Sequence, residues 1–422
     1  MDQLIKLIRE DMRPSLGVTE PGAIALAVAT AYAHISGEIV SVQVELNSGM
    51  YKNAFTCAIP GTSRTGSVYA AALGAVAGDP SLALESLRSI TADDIASAES
   101  LIQQGRVQVH MRGISPDIFI KATVVTSSGQ ASAIIEHSHT HITQIICNGN
   151  VIKTGLKSDP HSAAPSLICN FTFKDFIECA LTAPIDSLRF INDAFEMNLA
   201  LLKAGLEDSR TQIAHHYYAL NQNTLLSNNA LTSAQLLSSG AIEARVLGIG
   251  LPAMSITGSG SHGIIATMPL YAYCHCNQLS PERLLRAAAL SALVTQYIKE
   301  YSGKLSALCG CGIAAGAGAA CGLALLQNAN EEQLIATLNA MTLGITGMIC
   351  DGGNHGCAIK STIAVDAAFH AADWAMSGIA ISPRHGICGN TPEETMRNIG
   401  LIASPGMLKT EEVIVSIMDN KT

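Results

Sequence analysis

The sequence predicts an α+β fold, with a large, mainly helical domain and a smaller α+β domain near the N-terminus. Residues 39–46 alternate apolar and polar side chains, which is typical of a half-buried strand. More strand-like runs follow between residues 106 and 153. From residue 173 onward, almost every segment repeats its apolar side chains with the period of a helix.

The chain has 422 residues, which is enough for two domains with separate cores. We predict N-terminal helices over 1–37 that pack on the helical domain, an α+β domain over 38–155, and a helical domain over 156–422 that carries Cys309, Cys350 and Cys357. Charged residues make up only 14% of the sequence and glycine is abundant, so we expect closely packed helices around an aliphatic core.

Composition also limits the classes of function. The net charge of -9 and the lack of a basic stripe argue against a nucleic-acid-binding surface. The N-terminal residues are amphipathic and carry acids, so we predict no signal peptide and a cytoplasmic location. The twelve cysteines are then expected to be free thiols, most of them small core residues, and not a disulfide framework.

Within the first 155 residues, we predict an amphipathic helix over 3–14 and a buried helix over the apolar run 22–33, with Thr19 as its N-cap. Residues 50–53 and 59–66 are predicted loops. The other predicted helices are 66–77, 81–88 and 92–104. The other predicted strands are 106–111, 118–126, 131–136 and 142–153, with a two-residue hairpin turn at Asn148-Gly149.

Residues 156–170 contain two prolines and are a predicted linker or crossover. A Gly/Ser/Thr loop over 251–263 leads into an apolar helix. The predicted helices beyond the linker are 173–181, 184–205, 208–222, 231–248, 281–302, 311–327, 330–346, 356–378, 391–402 and 410–419. Residues 307–325 carry no charge, but their many Ala and Gly residues and the lack of a flanking Lys/Arg bias favour a buried helix over a membrane span.

Three cysteines lie in Gly-rich turns. Cys350 and Cys357 stand on either side of a Gly/Asn/Asp turn that opens into a helix, where an anionic thiolate is favoured, and Cys309 lies upstream in a similar setting. Thiolates from separated segments are typical of an iron–sulfur cluster, and three of them leave one iron open to substrate. The alternatives are zinc, three buried thiols, or Cys311 or Cys321 as the third ligand. Within a helix, Cys311 would point away from Cys309.

A set of short motifs covers nearly the whole chain. The motifs are Thr19-Glu20-Pro21, Pro60-Gly61-Thr62, Leu251-Pro252-Ala253-Met254-Ser255, Gly258-Ser259-Gly260, Leu305-Ser306-Ala307-Leu308-Cys309, Met348-Ile349-Cys350-Asp351-Gly352 and Cys357-Ala358-Ile359-Lys360. In these residues and in their order, the sequence resembles the bacterial L-cysteine desulfidases, which belong to the iron–sulfur L-serine dehydratase superfamily and include the UPF0597 type.

The resemblance implies a [4Fe-4S] cluster held by Cys309, Cys350 and Cys357, with one iron that has no cysteine ligand. It implies an α,β-elimination on a small L-amino acid without pyridoxal phosphate. Pyruvate and ammonia would form from L-serine, and sulfide as well from L-cysteine. Two positions depart from the family pattern: Val18 stands where the family usually has cysteine, and Ile256 where it usually has asparagine.

Lys360 and His262 are candidates for the base that removes the α-proton. Lys360 could instead pair with a substrate carboxylate or lie in solvent, and His262 could be an ordinary loop histidine. The candidates for binding the substrate are Thr19, Glu20, Asn53, Thr62, Ser255 and Ser259. Turn bonding is the alternative for Thr62. We predict that His137, His139 and His141 share one face of a strand, either beside the substrate or on the plain surface.

We therefore predict a cytoplasmic iron–sulfur lyase that acts on a small L-amino acid. We expect a homodimer with no nucleic-acid partner and no membrane partner. Because of Val18, the first alternative is a degenerate family member that has kept the cluster or the fold for a binding or redox-sensing role. The second alternative is a zinc- or iron-dependent isomerase.

Overall fold

A computed structural model describes residues 1–155, 166–303 and 305–421 of the protein. The predicted α+β class is confirmed: a six-stranded sheet with packed helices lies in the N-terminal part, and the rest is mainly helical. The predicted linker at 156–170 falls mostly outside the described residues, and its end forms a short 3₁₀ helix, Leu167–Asn170.

The strands account for one large sheet and one small ribbon. They are β1 (Arg13–Leu16), β2 (Ile39–Asn47), β3 (Val107–Gly113), β4 (Phe119–Thr126), β5 (Gly129–Glu136), β6 (Ile142–Cys147), β7 (Asn150–Thr154) and β8 (Pro252–Ser255). The sheet has the order β3-β2-β4-β5-β6-β7, in which β2 and β3 are parallel and the other neighbours antiparallel. Asn148 and Gly149 form the predicted turn between β6 and β7 with positive φ angles. The ribbon pairs β1 with β8.

The α-helices in chain order are α1 (Asp2–Asp11), α2 (Thr19–Tyr32), α3 (Ser48–Ala54), α4 (Ser67–Ala77), α5 (Ala92–Gln103), α6 (Phe173–Thr182), α7 (Ile185–Leu188), α8 (Asn192–Glu207), α9 (Gln212–Leu220), α10 (Ala230–Gln235), α11 (Ala241–Val246), α12 (Gly260–Cys276), α13 (Pro281–Ser302), α14 (Gly316–Leu326), α15 (Glu331–Ile345), α16 (Gly356–Met376), α17 (Pro392–Leu401) and α18 (Leu408–Asp419). Further 3₁₀ helices are Pro80–Glu85 and Arg189–Ile191, and π-helical turns are Leu236–Gly240, Cys311–Ala315 and Ile402–Gly406.

Helices α2 and α4 cover the buried face of the sheet. Alternate strand residues, such as Val42, Val44 and Leu46 on β2, form that face with no exposed area. Helix α2 is apolar on all sides and is therefore buried as a whole. Its residues join the core of the sheet, whereas α1 joins the core of the helical part. The expectation that all helices in 1–37 pack on the helical part therefore does not hold for α2.

Helices α12, α13, α14 and α16 pack closely in the helical part. Gly318 on α14 lies so near the backbone of Ser291 on α13 that a Cβ atom at that position would clash with its carbonyl oxygen. Small residues let the helices approach, as the composition predicts. Residues 307–325 overlap the buried helix α14, and none of the helices in the described ranges is long and apolar enough to cross a membrane.

Several predictions about local structure were wrong. Residues 50–53 lie in α3 and not in a loop, because contacts with distant segments hold that short helix. The loop prediction for 251–263 missed strand β8 and the start of α12. Residues 137–141 form a loop, since strand pairing ends at Glu136 and His137 has a φ of 68°. The N-cap of α2 is Val18, and Thr19 is the first helical residue.

A buried ion pair fastens the last helix to the rest of the fold. Lys52 Nζ on α3 lies 2.6 Å from Glu411 Oε2 on α18, and it also donates a hydrogen bond to the carbonyl oxygen of Ser306 at 3.1 Å. The two side chains are only 1% and 5% exposed. The ion pair therefore joins α3, α18 and the segment that leads to Cys309.

Removing the carboxylate with Glu411→Ala should lower the free energy of unfolding by about 3–5 kcal/mol, because the ammonium group of Lys52 stays buried without its partner. Urea denaturation of both proteins measures the difference. The matched control is Lys409→Ala, which breaks the exposed pair of Lys409 with Glu412 and should change the free energy by less than about 1 kcal/mol. Equal effects of the two substitutions would contradict the prediction.

Candidate active site

A cavity of about 500 Å³ lies where the sheet meets the helical part. The sheet side supplies the start of α2, part of α3 and the loop between β5 and β6. The helical side supplies α11, the start of α12, the end of α13 and the two cysteine turns. Nine of the eleven predicted site residues line it: Thr19, Glu20, Asn53, Ser259, His262, Cys309, Cys350, Cys357 and Lys360.

Backbone hydrogen bonds join the two cysteine turns. The amide of Cys309 donates to the carbonyl of Met348 at 3.0 Å, and the amide of Cys350 donates to the carbonyl of Ala307 at 2.7 Å. This short antiparallel bridge places Cys309 and Cys350 beside each other although they are far apart in sequence. Cys357 lies in the first turn of α16, with its thiol 3.4 Å from the carbonyl oxygen of Gly352.

The turn between Cys350 and Cys357 is held from two sides. Gly352 has a φ of 103° and lies against the backbone of Lys52, where a Cβ atom would clash, so the position requires glycine. On the other side, His355 is hydrogen-bonded to the carboxylate of Glu243. That carboxylate is fully buried and also accepts hydrogen bonds from the first backbone N–H groups of α9. The turn is thus fixed to α3 and to the helical core.

Cys311 also lines the cavity, so the expectation that it points away from Cys309 was wrong. The reason is the π-helical turn that begins at Cys311, which changes the direction of the side chain from that in a regular α-helix. A hydrogen bond from the thiol of Cys311 lowers the pKa of Cys309 to about 7, although burial opposes the change. Burial raises the pKa of Cys357 to about 12. Cys321 is buried in α14 and does not line the cavity.

Three buried or partly buried lysines, Lys52, Lys299 and Lys360, lie within electrostatic range of the thiols. Positive charges favour thiolates over thiols. Lys360 forms an ion pair with Asp351. Burial alone would lower the pKa of Lys360, but Asp351 outweighs burial and raises it. Lys360 is therefore held as a cation, which suits it to neutralise charge and not to act as a base.

His262 is buried and has a defined tautomer. The hydroxyl of Thr257 donates to the carbonyl of Ile256 at 2.7 Å, so its oxygen accepts from Nδ1 of His262, which lies 2.6 Å away. Nε2 therefore carries the free lone pair. It lies close to Gly310, since a Cβ atom built on that glycine would be 2.7 Å from Nε2. Burial, together with the charges of Lys299 and Arg245, lowers the pKa of His262 well below its usual value. The ring is neutral at neutral pH.

Glu20 is a buried carboxylate on the opposite side of the site. Asn53 Nδ2 donates to its Oε1 at 2.8 Å, and the hydroxyl of Thr19 donates to its Oε2 at 3.2 Å. Nε2 of His139 lies 3.8 Å from Oε1. Burial alone would raise the pKa of Glu20, but His139 and Asn53 outweigh it and hold the pKa at about 2. Glu20 is thus ionised at any physiological pH.

Two predicted residues lie outside the cavity. The hydroxyl of Thr62 donates to the carbonyl of Ile59 at 3.0 Å, which is the turn bonding considered as its alternative role. The hydroxyl of Ser255 donates to the carbonyl of Arg13 at 2.7 Å and closes the ribbon of β1 and β8. Of the three histidines in 137–141, His139 lines the cavity and the other two do not.

Three long, buried polar residues that also line the cavity were not predicted from the sequence: Arg245, Gln296 and Lys299. All three lie in segments with strong helical periodicity, α11 and α13, and are less than 9% exposed. A long polar side chain on the apolar face of a predicted helix was the available signal, because such side chains are rarely buried without a partner.

Sequence comparison places the chain among known proteins. The profile described as serine dehydratase alpha chain matches residues 87–416. The chain belongs to the serine dehydratase alpha-chain family. A UPF0597 protein of Clostridium botulinum (strain Langeland) is 38% identical over 99% of both chains, and one of Clostridioides difficile is 33% identical over 99% of both. A UPF0597 protein of Caldanaerobacter subterraneus is 36% identical over 99% of this chain and 98% of its own. The predicted family is confirmed.

This family implies an iron–sulfur cluster, and the donor set of the cavity fits one. Cys309, Cys350 and Cys357 line the same cavity and are surrounded by lysines that favour thiolates. Within the described ranges, no three His, Cys, Asp or Glu side chains are placed to hold a single metal ion. Each thiolate of a cluster binds a different iron, so these thiols need not meet at one point.

In cluster-free protein, alkylation of Cys309 by iodoacetamide should accelerate as the pH rises through about 7, because the reactive thiolate forms there. Mass spectrometry of the labelled peptide follows the rate. Cys311→Ala should move the midpoint to higher pH, since it removes the hydrogen bond that stabilises the thiolate. Cys321→Ala, a buried cysteine outside the cavity, should leave the midpoint in place. A midpoint that does not respond to Cys311→Ala would contradict this assignment.

Proposed function

We propose that the protein catalyses a pyridoxal-phosphate-independent α,β-elimination on a small L-amino acid, with a [4Fe-4S] cluster held by Cys309, Cys350 and Cys357. The observation that carries the proposal is one cavity in which these thiols lie together with neutral His262 and ionised Glu20. L-Serine would give pyruvate and ammonia. L-Cysteine and water would give pyruvate, ammonia and hydrogen sulfide.

The chain's own residues would supply the acid–base chemistry. A cluster with three cysteine ligands offers, when bound, a Lewis-acidic iron for the leaving group. Nε2 of His262 has a free lone pair and would accept the α-proton, while Thr257 holds the ring in that tautomer. A neutral imidazole can take up this proton without first losing one, which the cationic Lys360 cannot do.

Glu20 would bind the ammonium group of the substrate. The carboxylate is already oriented by Asn53 and Thr19, so little conformational freedom is lost when a cation binds. Lys360 would act as a positioning residue, because its ion pair with Asp351 fixes the turn between Cys350 and Cys357 and adds positive charge beside the thiolates.

Val18 bears on which leaving group the site accepts. The side chain of Val18 lines the cavity and packs against Gly353, which lies between Cys350 and Cys357 in the sequence. A Cβ atom built on Gly353 would be 3.0 Å from Cγ1 of Val18. A valine offers no lone pair to iron or to sulfur. We therefore propose elimination of a hydroxyl group or a related β-substituent over release of sulfide. If the cluster forms without turnover, Val18 favours the second candidate, a binding or redox-sensing member of the family.

Anaerobically purified and reconstituted protein should contain iron and acid-labile sulfide, and Cys309→Ala, Cys350→Ala and Cys357→Ala should each lose cluster iron, since one missing thiolate exposes an iron to solvent. Iron and sulfide analysis with absorption spectra measures the loss. Cys321→Ala is the matched control and should keep the cluster. Full iron in Cys357→Ala would show that the ligand set is wrong, and absence of iron and sulfide from the reconstituted parent protein would remove the proposal.

Val18→Cys should raise the rate of sulfide release from L-cysteine, because it restores a thiol at the wall beside Gly353. Sulfide and pyruvate are assayed anaerobically for both proteins, with L-cysteine and L-serine as substrates. Val18→Ala is the control, as it changes the volume of the side chain without adding sulfur. Rapid sulfide release by the unmodified protein, unchanged in Val18→Cys, would show that this position does not set the leaving group.

A further inference from the structure

Arg245 is a buried cation whose charge has no ion-pair partner in the described part of the chain. The residue lies on α11 and is 5% exposed. Among residues 1–155, 166–303 and 305–421, no carboxylate lies within ion-pair distance of its guanidinium group. Nη1 donates a hydrogen bond to the hydroxyl of Ser261 at 3.0 Å, and Nε has no hydrogen-bond partner there.

Such an arrangement calls for an anionic ligand. A guanidinium group keeps its proton at any physiological pH, so Arg245 cannot escape burial by becoming neutral. A buried charge is costly unless an opposite charge or a set of hydrogen bonds compensates it. Arg245 lines the cavity, where a ligand can provide both.

Other hydrogen-bond donors lie along the same wall. Gln296 on α13 is 8% exposed, and its Nε2 likewise has no hydrogen-bond partner among the described residues. Helix α12 begins at Gly260, where the first N–H groups of a helix are left without intrahelical acceptors. A Cβ atom at Gly260 would stand 2.6 Å from Nε of Arg245, so glycine leaves room for the guanidinium group. Planar donors of this kind match the two oxygens of a carboxylate.

The cavity also contains the opposite charge. Glu20 and Arg245 both line it, they form no ion pair with each other, and both are near enough to His262 to affect its pKa. A ligand with a carboxylate and an ammonium group on one carbon can satisfy both residues.

We propose that Arg245 binds the α-carboxylate of the substrate, with Glu20 on its ammonium group, and that the site therefore selects unblocked α-amino acids. The inference rests on the proposed elimination for the identity of the site, and it adds the residue that recognises the substrate class. It is tested through binding, which does not depend on turnover.

The test compares two ligands that differ only in the carboxylate, L-alanine and ethylamine. Neither has a leaving group, so neither is consumed by an elimination. Affinities are measured anaerobically by calorimetry or by the ligand-induced rise in melting temperature, on the full-length protein as reconstituted. The unmodified protein should bind L-alanine at least about tenfold more tightly than ethylamine, the range expected for a hydrogen-bonded charged group.

Arg245→Gln should weaken the binding of L-alanine by about tenfold to a hundredfold and leave that of ethylamine within about twofold, because only the carboxylate contact is lost. Arg245→Lys should recover part of the affinity. The control is Arg286→Gln, which removes a partly buried guanidinium group that binds the carbonyls of Ala180 and Ala183 outside the cavity. It should bind both ligands as the parent protein does.

An equal loss for both ligands in Arg245→Gln would indicate general damage to the site and overturn the inference, as would unchanged binding of L-alanine. Should that variant fail to fold, equal affinity of the unmodified protein for the two ligands, or binding of neither, would overturn it as well. Loss of the cluster or of elimination activity, with carboxylate-dependent binding intact, would instead contradict the proposed function alone.

Discussion

The ammonium group of Lys52 holds together the segments that build the cavity. It is buried between α3, the strand-like segment before Cys309 and the last helix, and it bonds to the latter two through Ser306 and Glu411. The next residue, Asn53, turns into the cavity and orients Glu20. The sheet and the cysteine turns therefore keep their relative position through one short helix, which also packs its backbone on Gly352.

The charge states in the cavity come from burial combined with particular neighbours. Burial alone would neutralise Glu20, but His139 and Asn53 keep it ionised. Burial also favours neutral His262, and in that case the nearby cations Lys299 and Arg245 act in the same direction. The same apolar surroundings thus hold a carboxylate charged and an imidazole uncharged, which is the combination that proton abstraction from an ammonium-bearing carbon needs.

Patterns within a few residues of the chain predicted most of the fold. Helix α13 matches its predicted range because Ser280 caps it and Gly303 ends it, and these signals are local. The three cysteines of the turn motifs line one cavity. The position of Cys311 depends on a π-helical turn, and helix α3 depends on an ion pair with a residue near the other end of the chain, so neither follows from a local pattern. Arg245 was not predicted as a site residue, because the segment that carries it has the apolar periodicity of a core helix.

The cavity lies between the sheet and the helical part, so its two walls come from different parts of the chain. The wall that carries the thiols, Lys299 and Lys360 belongs to the helical part, and Glu20, Asn53 and Val18 come from the N-terminal segments. A substitution in the N-terminal half can therefore alter which β-substituent fits while the thiol wall keeps its geometry. Val18 is a position of this kind, because its side chain lines the cavity on the wall that does not hold the thiols.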